Sequence, residues 1–204
     1  MGMTDFEVAE NYSSTVSDIL NDLHVGAKVA WLGQKHPSSN QDKFLYDAVM
    51  SGVHVNLDHH FYDLNNDEFE KSVKWDVHGD WDIGGYDLVL GLRVLYLCDS
   101  RDKMLKNISK ICKTNEKVIF DFMTGNPVLI GGRETFIKRN NSPTILPYFP
   151  ELYNENIEVN PNHDDQVVTL KNFEDLGINF KNITTFRDGI KRRFYTLCEV
   201  SCDA

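Results

Sequence analysis

Residues 86–123 constrain this chain more than any other stretch. Tyr86-Asp87-Leu88-Val89-Leu90 is a short apolar run after the Gly84-Gly85 break, and Lys117-Val118-Ile119-Phe120-Asp121-Phe122 is a second, rich in β-branched and aromatic residues. Runs so short and apolar read as buried strands. Between them Met104, Leu105, Ile108, Ile111 and Cys112 recur on one helix face, with Asp99 or Ser100 before them to cap the free amides. A strand, helix and second strand of this length form a βαβ crossover, which predicts parallel neighbours and an α/β domain. The groups that matter in such a sheet gather at its carboxyl edge.

The flanking segments extend this pattern. Val16, Ile19, Leu20 and Leu23 give residues 6–23 the face of an amphipathic helix, and Lys28 to Gly33 reads as the first strand. Ser39-Asn40-Gln41-Asp42 has the form of a capping box, and Phe44, Leu45, Ala48 and Val49 supply the next helix's buried face. A second strand is predicted over Val53 to Asp58, and a third, edge-like one over Ser72 to Val77. Residues 125–165 hold five of the six prolines and no regular period, which marks an insertion over the sheet's active edge. A helix is predicted over Val167 to Leu176, then strands over 179–187 and 190–200. Asp188-Gly189 between those strands is a hairpin signal.

Length and charge narrow the class. A chain of 204 residues supports one α/β domain, with 125–165 as a lid or substrate-binding insertion. Its 31 acidic against 21 basic residues give a formal charge of −10, a surface that repels phosphate backbones and anionic lipid, so neither nucleic acid nor membrane is an expected partner. No apolar run reaches the length of a membrane span, and the first residues lack a signal peptide's pattern. The four cysteines are scattered, as expected of reduced structural thiols in a cytoplasmic protein.

The order of these elements, with five strands alternating with helices before a closing hairpin, resembles the class I, Rossmann-like S-adenosylmethionine-dependent methyltransferases. Two local stretches carry the resemblance. Residues 86–97, Tyr-Asp-Leu-Val-Leu-Gly-Leu-Arg-Val-Leu-Tyr-Leu, are similar to that family's fourth strand and following turn, and Leu176-Gly177-Ile178 is similar to the turn before its last hairpin. The implied fold is a three-layer sandwich with a mostly parallel central sheet and a C-terminal antiparallel hairpin. The implied cofactor is S-adenosylmethionine, and the implied activity is methyl transfer to a small-molecule acceptor. Residue by residue, the resemblance assigns Gly33 to the cofactor loop and Asp58 to the ribose hydroxyls. It assigns Asp80 and Trp81 to the adenine, Leu92 to the methionine arm, and no metal. His163, with Asp164 and Asp165 in the insertion, is a candidate base for the acceptor's proton. Trp31, Lys35 and Pro37 stand where the family has an acid and two further glycines.

That departure keeps a second function in play, a methyltransferase-like protein without catalysis that serves as a binding or scaffold module. A third rests on Asp58-His59-His60 with Asp63 nearby, which looks like the metal-binding signature of the DHH phosphoesterases. The early Asp-x-Asp of those enzymes has no counterpart here. No nucleophile elbow, phosphate-binding loop or Cys-His pair is present in the sequence.

Overall fold

Val29, Ala30, Trp31 and Leu32 are all buried, so the strand that carries them has to be covered on both faces. The computed structural model describes residues 14–34, 56–64, 71–92, 94–125, 146–147, 167–168, 170–187 and 193–202. Within them lie β1 (Lys28–Leu32), β2 (Asp58–Asp63), β3 (Ser72–Lys74), β4 (Leu88–Gly91), β5 (Lys117–Gly125), β6 (Leu146–Pro147), β7 (Val167–Val168), β8 (Ile178–Arg187) and β9 (Arg193–Cys202). The helices are α1 (residues 14–21), α2 (Arg101–Thr114) and α3 (Leu170–Glu174), with a 3-10 turn at Leu95–Leu97.

Seven strands form one sheet in the order β3-β2-β1-β4-β5-β9-β8. The first five pair in parallel, whereas β9 runs antiparallel to both β5 and β8. This is the mostly parallel sheet with a C-terminal antiparallel pair that the sequence leads one to expect. Alternation along the strands builds two cores. Val29, Trp31, Leu88, Leu90 and Ile119 face α1 through its Val16, Ile19 and Leu20. Ala30, Leu32, Val89, Val118 and Phe120 face α2 through Met104, Leu105, Ile108 and Ile111. Ser100 is the residue that caps α2, accepting from the Lys103 N–H at 3.4 Å.

Three boundaries differ from expectation. The second strand is Asp58–Asp63, with Asn56 and Leu57 in a turn, so it begins where it was predicted to end. The reason is burial: His59 and Phe61 lie against Trp31 while His60 and Tyr62 lie against Tyr86, which gives this run a partner on each face. Val167–Val168 pairs with Leu146–Pro147 instead of opening the helix, which starts at Leu170. Finally, the third strand stops at Lys74, where the chain leaves the sheet toward α2. The capping box at 39–42, the helix face at 44–49, the strand residues 53–55, Asp188-Gly189 and all of 125–165 except Gly125, Leu146 and Pro147 lie outside the described residues.

Candidate functional site

The register fixes which residues share the carboxyl edge. Leu32 lies opposite Tyr62 on one side and Gly91 on the other, and Asp63 lies opposite Lys74. Gly33, Trp75 and Leu92 therefore stand just past their strand ends, with Asp63 at the end of its own. The turn after β1 is tied to both neighbours: the Gly33 N–H donates to the Tyr62 carbonyl at 2.7 Å, and the Gln34 amide donates to the Leu92 carbonyl at 3.2 Å. Gly33 has φ +68°, and a Cβ there would meet Val94 Cγ2 at 2.9 Å. Its lack of a side chain is thus demanded by the turn and by Val94, whatever else binds there.

Asp63 closes β2, and its carbonyl accepts from the Trp75 N–H at 3.0 Å, so the acid and the indole occupy adjacent strand ends. Trp75 is 8% exposed, packed 5.3 Å from Trp81, and its indole Nε1 is buried without a hydrogen-bond partner among the described residues. A buried, unpaired N–H costs about 1–3 kcal/mol. Asp121, 3% exposed on β5, is a further acid, one residue beyond the Phe120 that lies opposite Gly91.

The residues singled out from sequence fall in several places. Gly33 lies on this edge, and Leu92 does so through its backbone, its side chain being fully buried against the α1 core. Asp58 lies at the opposite edge. It is level with Lys28, the first residue of β1, and five positions before Asp63, about 16 Å along a strand. There it bonds Lys71 Nζ at 2.7 Å and lies 3.3 Å from His60 Nε2. The Lys71 bond, more than the charge of His60, holds the Asp58 carboxyl below its ordinary value against the cost of burial. Asp58 is a structural ion-pair residue at the amino edge, which corrects its assignment to the end of β2.

Asp80 sits beside α2, 3.9 Å from Lys103, on the rim of a groove of about 360 Å³ lined also by Lys106, Lys110 and Lys113. The acid nearest the end of β3 is Asp76, which accepts from the His78 N–H at 2.9 Å. Trp81 is fully buried, its indole donating to the Val77 carbonyl at 3.0 Å, and it packs on Phe120 as a core residue. His163, Lys35, Pro37 and Arg93 lie outside the described residues.

Asp58-His59-His60 is part of a strand, so its imidazoles point to opposite faces. His59 Nδ1 accepts from the Trp31 indole at 3.0 Å, while His60 packs edge-on against Tyr86. The two rings do not converge on one ion, and no cluster able to hold a metal forms among the described residues. This geometry lends the phosphoesterase reading no support among the described residues.

Asp63 and Trp75 are the residues that sequence reasoning missed. In the sequence Asp63 stands only within the acidic cluster after Asp58, and Trp75 only within a strand pattern. The signal that could have found them is the aromatic weight of His59 to Tyr62, which moves β2 five residues on and brings Asp63 to its end.

No protein-family model and no curated protein matches the sequence. Solved structures do match the fold. The chain superposes on N-methyltransferase NodS from Bradyrhizobium japonicum WM9 with a TM-score of 0.51 at 7% identity, covering 98% of each chain. It superposes on a possible exported protein from Bordetella parapertussis with a TM-score of 0.52 at 10% identity, covering 95% of this chain and 68% of that one. At these identities the likeness is one of fold.

Proposed function

We propose that this protein binds S-adenosylmethionine at the carboxyl edge of its sheet and transfers a methyl group to a small-molecule acceptor. The observation that carries the reading is that Asp63 and Trp75, whose indole N–H has no hydrogen-bond partner among the described residues, stand at adjacent strand ends. A carboxylate accepts from both hydroxyls of a ribose, and an indole N–H donates to a ring nitrogen or an oxygen, so the pair fits an adenosine moiety. Gly33, Gln34 and the Leu92 backbone would line the adjoining amino-acid arm. When bound, the sulfonium supplies a methyl group that is already activated, so placing the acceptor in line accounts for most of the rate.

The protein's own contribution is then orientation and exclusion of water. Residues 125–165 are the segment we assign to covering the acceptor, and His163 the group we assign to taking its proton. A fold likeness to an N-methyltransferase supports the reaction type and leaves the acceptor to be determined.

A second reading is favoured by Gly33 itself. Its positive φ and its contact with Val94 explain the glycine without a ligand, as expected of a methyltransferase-like scaffold that binds no cofactor. Calorimetry separates the two. The demethylated cofactor should bind the parent, and Asp63→Ala should weaken binding about tenfold or more, the worth of a hydrogen bond to a charged group. Trp75→Phe should weaken it less, and Asp58→Asn should leave it unchanged. Absence of binding and of any thermal shift at millimolar ligand supports the scaffold instead.

A further inference from the structure

α2 and the last strand meet through two thiols. Cys112, on the final turn of α2, points its Sγ at the Val200 carbonyl at 3.6 Å, and Cys202, at the end of β9, points its Sγ at the Ser109 carbonyl at 3.6 Å. The arrangement is reciprocal. Each sulfur lies against the backbone from which the other projects, since Val200 is two residues before Cys202 on the same strand face and Ser109 one helical turn before Cys112. The reciprocal contacts make the two thiols neighbours, and both are half-buried free cysteines. Cys98 and Cys198, by contrast, are 3% and 0% exposed.

We propose that Cys112 and Cys202 are a redox modification site that closes into a disulfide when the protein meets a hydroperoxide. The chemistry balances with peroxide as the oxidant. The Cys202 sulfur takes one oxygen from hydrogen peroxide, becoming a sulfenic acid and releasing water. The Cys112 sulfur then attacks it, forming the S–S bond, breaking the S–O bond and releasing a second water that carries away the thiol protons. Burial, and then the neighbouring Cys202, push the Cys112 thiol up. The bond would join the sheet to its covering helix across 90 positions of sequence, from 112 to 202, pinning β9 between β5 and β8.

The test uses the full chain, reduced and then treated with hydrogen peroxide under native conditions. The expected result is an intact mass lower by two hydrogens, a fall from four free thiols to two, and a linked peptide pair carrying Cys112 and Cys202. A reductant should reverse all three, and the oxidised form should melt at a higher temperature. Cys202→Ser and Cys112→Ser should each abolish the link, with Cys112→Ala as the alternative if the serine variant does not fold. Oxygen adducts without a link, a link through Cys98 or Cys198, or a link that forms only in denaturant would each overturn the proposal.

Discussion

Gly91 has no room for a methyl group: a Cβ there would run into two ring carbons of Phe120, whose side chain is fully buried. Gly91→Ala should therefore destabilise the protein by about 1–3 kcal/mol in a urea titration, the range for overpacking. Combining it with Phe120→Leu should cost less than the two changes summed, because the smaller side chain removes the clash. Asp58 makes a prediction of a different kind. Its carboxyl is held below the unfolded value of about 3.9, so its ion pair stabilises the fold above that pH and the benefit is lost as pH falls through the folded value. Asp58→Asn should then be less stable than the parent at neutral pH, by under about 1 kcal/mol for so exposed a pair, and equal to it in acid. A difference that persisted at low pH would remove the ion pair as its cause. The sequence made both residues conspicuous without revealing what surrounds them. A glycine after an apolar run looks like a turn residue until Phe120 is placed over it, and an acid looks like a ligand until its edge of the sheet is known.

Helix α2 shows how an element can be legible on one face and opaque on the other. Its apolar stripe is visible as a period, and its cap at Ser100 as a residue type. Asn107 breaks that logic, since it is 4% exposed in the middle of the helix. Its Oδ1 accepts from the Trp81 N–H at 3.3 Å and its Nδ2 donates to the Gly79 carbonyl at 3.0 Å, so it clamps the segment from β3 to β4 onto α2. Asn107→Ala leaves the buried Trp81 N–H and the half-buried Gly79 carbonyl without this partner and should cost about 1–3 kcal/mol in unfolding free energy. Nothing local marks such a residue, because a polar side chain on a helix is usually solvated and its partners here are more than twenty positions away. A second polar contact joins Tyr62 and Tyr86, whose hydroxyls lie 2.7 Å apart; burial first, and then Tyr62, push the Tyr86 phenol well above its ordinary value. The aromatic packing of β2 comes from this pair and from Trp31 on the other face.

Across the whole molecule the sheet order sets where any ligand must go. Two apolar cores fill the faces, among the described residues no helix is long and apolar enough to cross a membrane, and the carboxyl ends of the parallel strands form the edge at which we place the ligand. The prediction at this scale is that the demethylated cofactor raises the thermal midpoint of the parent and of Asp58→Asn but not of Asp63→Ala. A shift retained in Asp63→Ala would move the site off the β2 end. The sequence by itself determined the strand, helix and strand of residues 86–123, the α/β class, the closing antiparallel pair and the apolar faces, because each is written in a local period that burial enforces. Only the tertiary structure decided which acid stands at which edge. Register between parallel strands is set by contacts far apart in sequence, and at about 3.3 Å per residue a shift of five positions carries a carboxylate from one side of the sheet to the other. That shift moves the proposed site from Asp58 to Asp63, and it makes Trp75 its neighbour.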